Sequence, residues 1–122
     1  MKEHKQNFLE LVQQALTKIK EIDVFEVRSK LENQEDFLLV DVREESEWSE
    51  GKIPGAIYLG KGIIERDIES TEPNKNKEII LYCQGGFRSA LAAESIQNMG
   101  YKNSISMSGG FSEWTNNNFP VT

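Results

Sequence analysis

Ile79-Ile80-Leu81-Tyr82-Cys83-Gln84-Gly85-Gly86-Phe87-Arg88-Ser89 passes from an apolar run into a glycine pair, then into the Ala-rich segment Ala90 to Met99. Four consecutive apolar residues bounded by a turn signal predict a buried strand. The glycines predict a tight loop, and the segment after them a helix. Cys83 therefore stands where a strand ends and a helix N-terminus begins. A thiol at such a junction faces backbone N–H groups and the positive end of a helix dipole. A free thiol titrates near about 8.5, and helix N-termini or cations favour its thiolate, the reactive form. Gly85 and Gly86 allow the backbone to curl until successive N–H groups converge, forming an anion-binding nest. Arg88 adds a permanent cation. A cation at a helix start opposes the dipole, which is easier to understand if an anion also binds there. A thiol working as a nucleophile is expected to be open to solvent. The plain alternative is a buried, inert cysteine.

Outward from this stretch, strands and helices alternate. Phe37-Leu38-Leu39-Val40 predicts a central strand ending at Asp41-Val42-Arg43, and Glu44, Glu45 and Glu47 suit the first turn of a short helix. Gly51 to Ala56 is a turn, and Ile57-Tyr58-Leu59 a short strand. Ile63, Ile64 and Ile68 predict a helix, and Ser70 to Lys77 a polar loop. Gly100 is placed to end the helix that follows Cys83. Ser104 to Met107 is a last strand, and Gly109-Gly110 opens a helix carrying Phe111 and Trp114. Upstream, Phe8, Leu11, Val12, Ala15, Leu16 and Ile19 follow helical spacing and predict an amphipathic helix within residues 1–20 that packs on the domain. Glu21-Ile22-Asp23 is a short strand running into a helix, with Asp23 and Glu26 in a capping-box pattern and Val24, Val27 and Leu31 as its buried stripe. The pattern implies an α/β fold: three layers, with a mostly parallel sheet covered by helices on both faces. In such sheets ligands bind beyond the C-terminal strand ends, where Cys83 and Asp41 both lie.

Composition narrows the function. The 122 residues suit one core, and a formal charge of −6 without a basic stripe argues against nucleic acid. One cysteine forms no intramolecular disulfide, and with a single histidine, His4, no structural zinc site of Cys and His ligands can be built. No cofactor or metal is expected. The N-terminus lacks the continuous apolar run of a signal peptide, and nothing is long enough to span a membrane, so a reducing cytoplasm is the expected location.

Four blocks in order resemble the rhodanese-like (sulfurtransferase) family. They are Leu39-Val40-Asp41-Val42-Arg43 with Glu47; Gly51-Lys52-Ile53-Pro54-Gly55-Ala56; Cys83-Gln84-Gly85-Gly86-Phe87-Arg88-Ser89; and Met107-Ser108-Gly109-Gly110-Phe111-Ser112-Glu113-Trp114. The resemblance covers roughly Ile22 to Trp114. It implies one rhodanese-like domain over residues 21–122, with a five-stranded central sheet. It further implies that Cys83 attacks the outer sulfur of thiosulfate or another persulfide donor and becomes a persulfide. A thiol, cyanide or an acceptor protein then takes the sulfur. By the same likeness, the amides of Gln84, Gly85, Gly86, Phe87 and Arg88 cradle the anion, while Asp41, Arg43 and Ser89 support the loop.

Two positions depart from the family pattern. Lys52 replaces a histidine usually treated as structural. Gln84 stands where many active members carry arginine, so thiosulfate, a dianion, is expected to bind poorly. A cysteine-dependent phosphatase would place five residues between cysteine and arginine, whereas four stand between Cys83 and Arg88. A non-catalytic rhodanese-like binding module is the other alternative. Asp41 and Arg43 read as an ion pair holding two loops. Trp48 and Trp114 read as packing residues, Phe87 as a pocket wall or an exposed side chain, His4 as solvated on the first helix, and Lys61 and Arg66 as a solvated helix face.

Overall fold

A computed structural model describes residues 4–122. Residues 1–3 of the expected N-terminal segment lie outside the described residues. In chain order the elements are α1 (Gln6–Leu16), β1 (Lys20–Ile22), α2 (Val24–Glu32), β2 (Leu38–Asp41), α3 (Glu45–Glu50) and β3 (Ile57–Tyr58), then α4 (Ile64–Thr71), β4 (Ile79–Tyr82), α5 (Phe87–Asn98), β5 (Ser104–Met107) and α6 (Gly110–Asn116). The sheet has five strands in the order β1-β5-β4-β2-β3. Every pairing is parallel, with Val40 opposite Leu81 and Leu81 opposite Ser106. The fold is the expected α/β architecture, a five-stranded parallel sheet between two layers of helices.

The two-residue period of a strand decides where the thiol goes. Ile79 and Leu81 face the layer of α1, α4 and α5, and pack with Val40, Ile64, Ile68 and Ile96. Ile80 and Tyr82 face the layer of α2 and α6, with Val24, Val27, Met107 and Trp114. Cys83 continues the phase of Ile79 and Leu81, so its side chain falls on the α5 face, beneath that helix's N-terminus. Ser104 and Ser106 keep the same phase on β5. Their small side chains, with Ala90, Ala92 and Ala93, let α5 approach the sheet closely, and all five are buried.

The strand around Val40 is interior as expected, with β4, buried throughout, in the middle of the sheet and β2, whose Leu38 is half-exposed, beside it. Details of α1 differ from the expectation. The α1 helix ends at Leu16, and Ile19 belongs to the connection into β1. Leu11 points outward at 50% exposure, because only Val12 and Ala15 of α1 are fully buried. At α2, the Asp23 carboxylate accepts from the Glu26 N–H at 2.9 Å. Gly100 follows α5 with φ +105°, a left-handed value that suits glycine. The first helix runs beside α5 in the same direction: Phe8 meets Phe87 at one end, and just past the other the Lys18 backbone carbonyl accepts from Gln97 Nε2 at 2.9 Å.

Candidate active site

Gly86 carries the turn between β4 and α5 at φ +99°, and the curl it permits aims two amides at the sulfur. The Gly86 N–H donates to Cys83 Sγ at 3.1 Å and the Ser89 N–H at 3.4 Å. The Ser89 hydroxyl lies 3.5 Å from the sulfur, donates to the Gly86 carbonyl at 3.1 Å and pairs with Ser106 Oγ at 2.8 Å. Sequence reasoning places Ser106 on a strand but does not find this partner, because the hydroxyl pairing joins residues 17 positions apart. The N–H groups that reach the sulfur are thus that of Gly86, within the run from Gln84 to Arg88, and that of Ser89, one place beyond it.

Cys83 is 1% exposed, which corrects the expectation of an open thiol. The loop folds over it and leaves it at the floor of a cavity of about 670 Å³. Access to the sulfur therefore runs through that cavity. Gln84, Gly85, Phe87 and Arg88 line it. His4, Lys5 and Phe8 line it too, which sequence reasoning missed. His4 is not a solvated residue on the first helix. It precedes α1 and packs edge-on against Phe87, ring centroids 4.9 Å apart, so Phe87 is a pocket wall.

Arg88 does not stand free at the helix start. Its guanidinium lies 3.4 Å from Glu47 Oε1 and 4.0 Å from Glu44 Oε1. Glu47 also accepts from the Glu44 N–H at 2.9 Å, closing the first turn of α3. Burial by itself would raise the Glu47 carboxyl. The Glu44 N–H and the Arg88 and Arg43 guanidiniums outweigh it and hold the group below its ordinary value of 4.5. A carboxyl lowered in the folded state stabilises above its ordinary value, and loses that contribution as pH falls through the lowered one. Glu47→Gln is accordingly expected to reduce the melting temperature by about 1–3 °C near neutrality, the scale of a partly exposed pair. Paired melts from neutral to strongly acid pH check this; a gap that persists once carboxylates are protonated would refute it.

Asp41 and Arg43 form the buried ion pair, at 0% and 3% exposure, joined by Nη2–Oδ2 at 2.8 Å and Nε–Oδ2 at 3.0 Å. Arg43 Nη2 also donates to the Gly51 carbonyl at 2.6 Å, and its guanidinium lies 4.2 Å from the centre of the Phe111 ring. Nη1 reaches Gln84 Oε1 at a long 3.5 Å. Tyr58 donates its hydroxyl to the Arg43 carbonyl at 2.7 Å. One arginine thus links the end of β2, the Gly51 turn, the Cys83 loop and α6. Burial raises the phenol of Tyr82 well above its ordinary value and keeps it neutral, its oxygen accepting from the Ile53 N–H at 3.2 Å. Trp114 is buried and donates to the Pro120 carbonyl at 2.8 Å, whereas Trp48 is half-buried beside Tyr58 with Lys52 over its ring. Arg66 pairs with Asp67 on the α4 surface.

The rhodanese-like domain model matches residues 11–117, which includes all four blocks quoted above and the elements that build this loop. The chain belongs to the rhodanese-like domain family. A sulfurtransferase of Allochromatium vinosum is 32% identical over 84% of this rhodanese-like chain and 94% of its own length. The thiosulfate sulfurtransferase GlpE of Coxiella burnetii is 28% identical over 70% of the chain and 78% of itself. Among solved structures, the human single-domain sulfurtransferase TSTD1 superposes with a TM-score of 0.70 at 25% identity, over 79% of this chain and 95% of its own. A Rhodopseudomonas palustris protein, described as of unknown function and a possible tyrosine phosphatase, gives a TM-score of 0.86 at 28% identity over 100% of this chain and 98% of its own. Among the described residues no helix is long and apolar enough to cross a membrane, and no cluster of three or more His, Cys, Asp or Glu could hold a metal.

Proposed function

We propose that this protein is a rhodanese-type sulfurtransferase that carries sulfane sulfur as a persulfide on Cys83. The observation that supports this best is the pair of N–H groups, from Gly86 and Ser89, directed at a sulfur on the floor of an open cavity. Donors held in a fixed loop stabilise an anionic sulfur without reorganising when the reaction occurs. In the loading step the Cys83 thiolate attacks the outer sulfur of the donor. A new S–S bond forms, the donor's own bond to that sulfur breaks, and the bonding pair leaves with the carrier. A thiol, cyanide or a protein thiol then removes the sulfur and returns the thiolate. Asp41, Arg43 and Ser89 hold the loop; none of them exchanges atoms with the substrate. A lone thiol that must stay reduced suits a reducing compartment such as the cytoplasm. The names of the A. vinosum, C. burnetii and human relatives support the reaction class; of the three, the C. burnetii name alone specifies a donor, thiosulfate, and that is said of a protein 28% identical to this one.

Intact mass spectrometry after incubation with sulfane donors tests this. The expected result is a gain of one sulfur atom, reversed by cyanide and absent in Cys83→Ser. No adduct from any donor would favour the non-catalytic binding module. A phosphatase is the second reading, because of the description attached to the R. palustris structure. The four-residue spacing and the engagement of Arg88 by Glu47 both oppose it. Cys83-dependent turnover of a generic aryl phosphate would reverse that ranking.

A further inference from the structure

The cavity above Cys83 is far roomier than an inorganic sulfur oxyanion needs. Its volume of about 670 Å³ lies in the range of sites for organic ligands. One wall is aromatic and is supplied by the N-terminal segment. Phe8 lies 6.3 Å from Phe87 at an interplanar angle of 72°, and His4 lies 4.9 Å from Phe87 and 5.2 Å from Phe8. All three rings are half-buried and line the cavity, so they belong to the site rather than to the sealed core.

The opposite rim carries the charge. Glu44 and Glu47 line it, and both lie against Arg88. A dianion entering here must either displace a carboxylate from Arg88 or rest beside two negative charges; Lys5, which also lines the cavity, offers one cation against both. A donor with at most one charge, at its reacting end, and an uncharged body meets a weaker repulsion. Its body would replace water against the aromatic wall.

We propose that the donor is an organic sulfane, a persulfide or thiosulfonate with at most one charge, at its reacting end, and an uncharged organic group that lies against His4, Phe8 and Phe87. This rests on the sulfurtransferase reading and adds its substrate class. With a persulfide, the Cys83 thiolate takes the outer sulfur, the S–S bond of the donor breaks, and the carrier leaves as a thiolate that collects the persulfide proton. With a thiosulfonate, the carrier leaves as a sulfinate. No oxidant or reductant is consumed in either case.

Benzenethiosulfonate and methanethiosulfonate share the same sulfane sulfur and the same single charge, and differ in the organic group. Loading of Cys83 is followed by intact mass in quenched samples, and each rate is divided by that donor's rate with a free small thiol to remove intrinsic reactivity. The expected preference for the benzene compound is about three- to tenfold, the scale of an aromatic contact. Phe8→Ala and, separately, His4→Ala are expected to shrink that preference, mainly through KM and not through kcat. Equal corrected rates in the wild type would overturn the proposal, as would a preference that survives both substitutions. His4→Ala keeps the test decisive should Phe8→Ala loosen α1. Loading by neither donor, nor by thiosulfate, would instead sink the sulfurtransferase reading itself. Equal loading by both would leave that reading standing.

Discussion

Replacing Asp41 by alanine is expected to cost about 3–5 kcal/mol of folding free energy, the penalty for stranding a buried charge. Arg43 is 3% exposed and directs three of its contacts at the Asp41 carboxylate, at 2.8, 3.0 and 3.1 Å. Asp41 Oδ1 also accepts the Arg43 backbone N–H at 2.9 Å. Without the carboxylate, the guanidinium keeps the Gly51 carbonyl and the Phe111 face, and neither neutralises it. Domains of this size have about 5–15 kcal/mol in total, so much of the fold's margin would go. Urea unfolding should show a lower midpoint at an unchanged m-value. Arg43→Met alone should also destabilise, by leaving the carboxylate unpaired. The double variant should lose clearly less than the two single losses summed, because removing both charges removes the stranded one. A surface pair supplies the contrast: Asp36→Ala, which removes the partner of Lys77, should cost about 1 kcal/mol or less, since Asp36 is 90% exposed. Additive losses at Asp41 and Arg43, or a loss at Asp41 no larger than at Asp36, would show that the pair does not clamp the loops.

What could be read from the chain depended on whether the signal was local. The Ile79–Tyr82 and Ser104–Met107 runs announce their strands, because a buried parallel strand needs only a short apolar or small-residue segment between turn residues. Asp23 announces α2 through its own carboxylate. The Cys83 loop is legible for the same reason, since thiol, glycines and helix start are contiguous. The missing parts of the site are those that depend on long-range placement. The stripe of α1 shows that it packs, but not that its direction along α5 brings His4 and Phe8 over a loop some eighty residues later. Arg88 reads as a free cation because its partner, Glu47, is 41 residues away. The burial of Cys83, which the sequence offers only as the alternative of an inert thiol, has a long-range cause as well. The alternation that points Ile79 and Leu81 at α5 carries on into the loop, and a residue in that phase is covered by the helix its own loop begins. Nest and burial are therefore one feature: the amides can reach the sulfur only because the loop closes over it.

Gly110→Ala is expected to disable the site from a position that never touches substrate. Gly110 opens α6 at φ +60°, a left-handed value that costs a non-glycine residue about 1–3 kcal/mol. The larger difficulty is space. A Cβ there would lie 2.5 Å from the Cys83 carbonyl oxygen, 2.5 Å from that of Gln84 and 2.6 Å from the Gln84 carbonyl carbon. All three are backbone atoms, so no side chain can swing aside. The same two carbonyls are those the helix end grips, through Phe111 N–H at 2.8 Å and Ser112 N–H at 3.0 Å. The approach is close because α6 holds the Cys83 loop down from outside, while Gly86 and Ser89 hold the sulfur from inside. An alanine must push the loop away, break those two bonds and misdirect the amides at Sγ. A shift of this kind is expected to lower sulfur loading of Cys83 by roughly a hundredfold, the scale associated with a misplacement of about 1 Å in a reacting group, and to cost several kcal/mol of stability, of order 3 or more. Gly85→Ala is the matched control. It stands in the same loop, with no atom within 4 Å of its added methyl and no positive φ, and should leave the melting temperature close to that of the wild type. Circular dichroism melts and intact-mass loading on the two variants separate the outcomes. If Gly110→Ala loads sulfur and melts as Gly85→Ala does, α6 does not anchor the loop and the account of how the thiol is held fails.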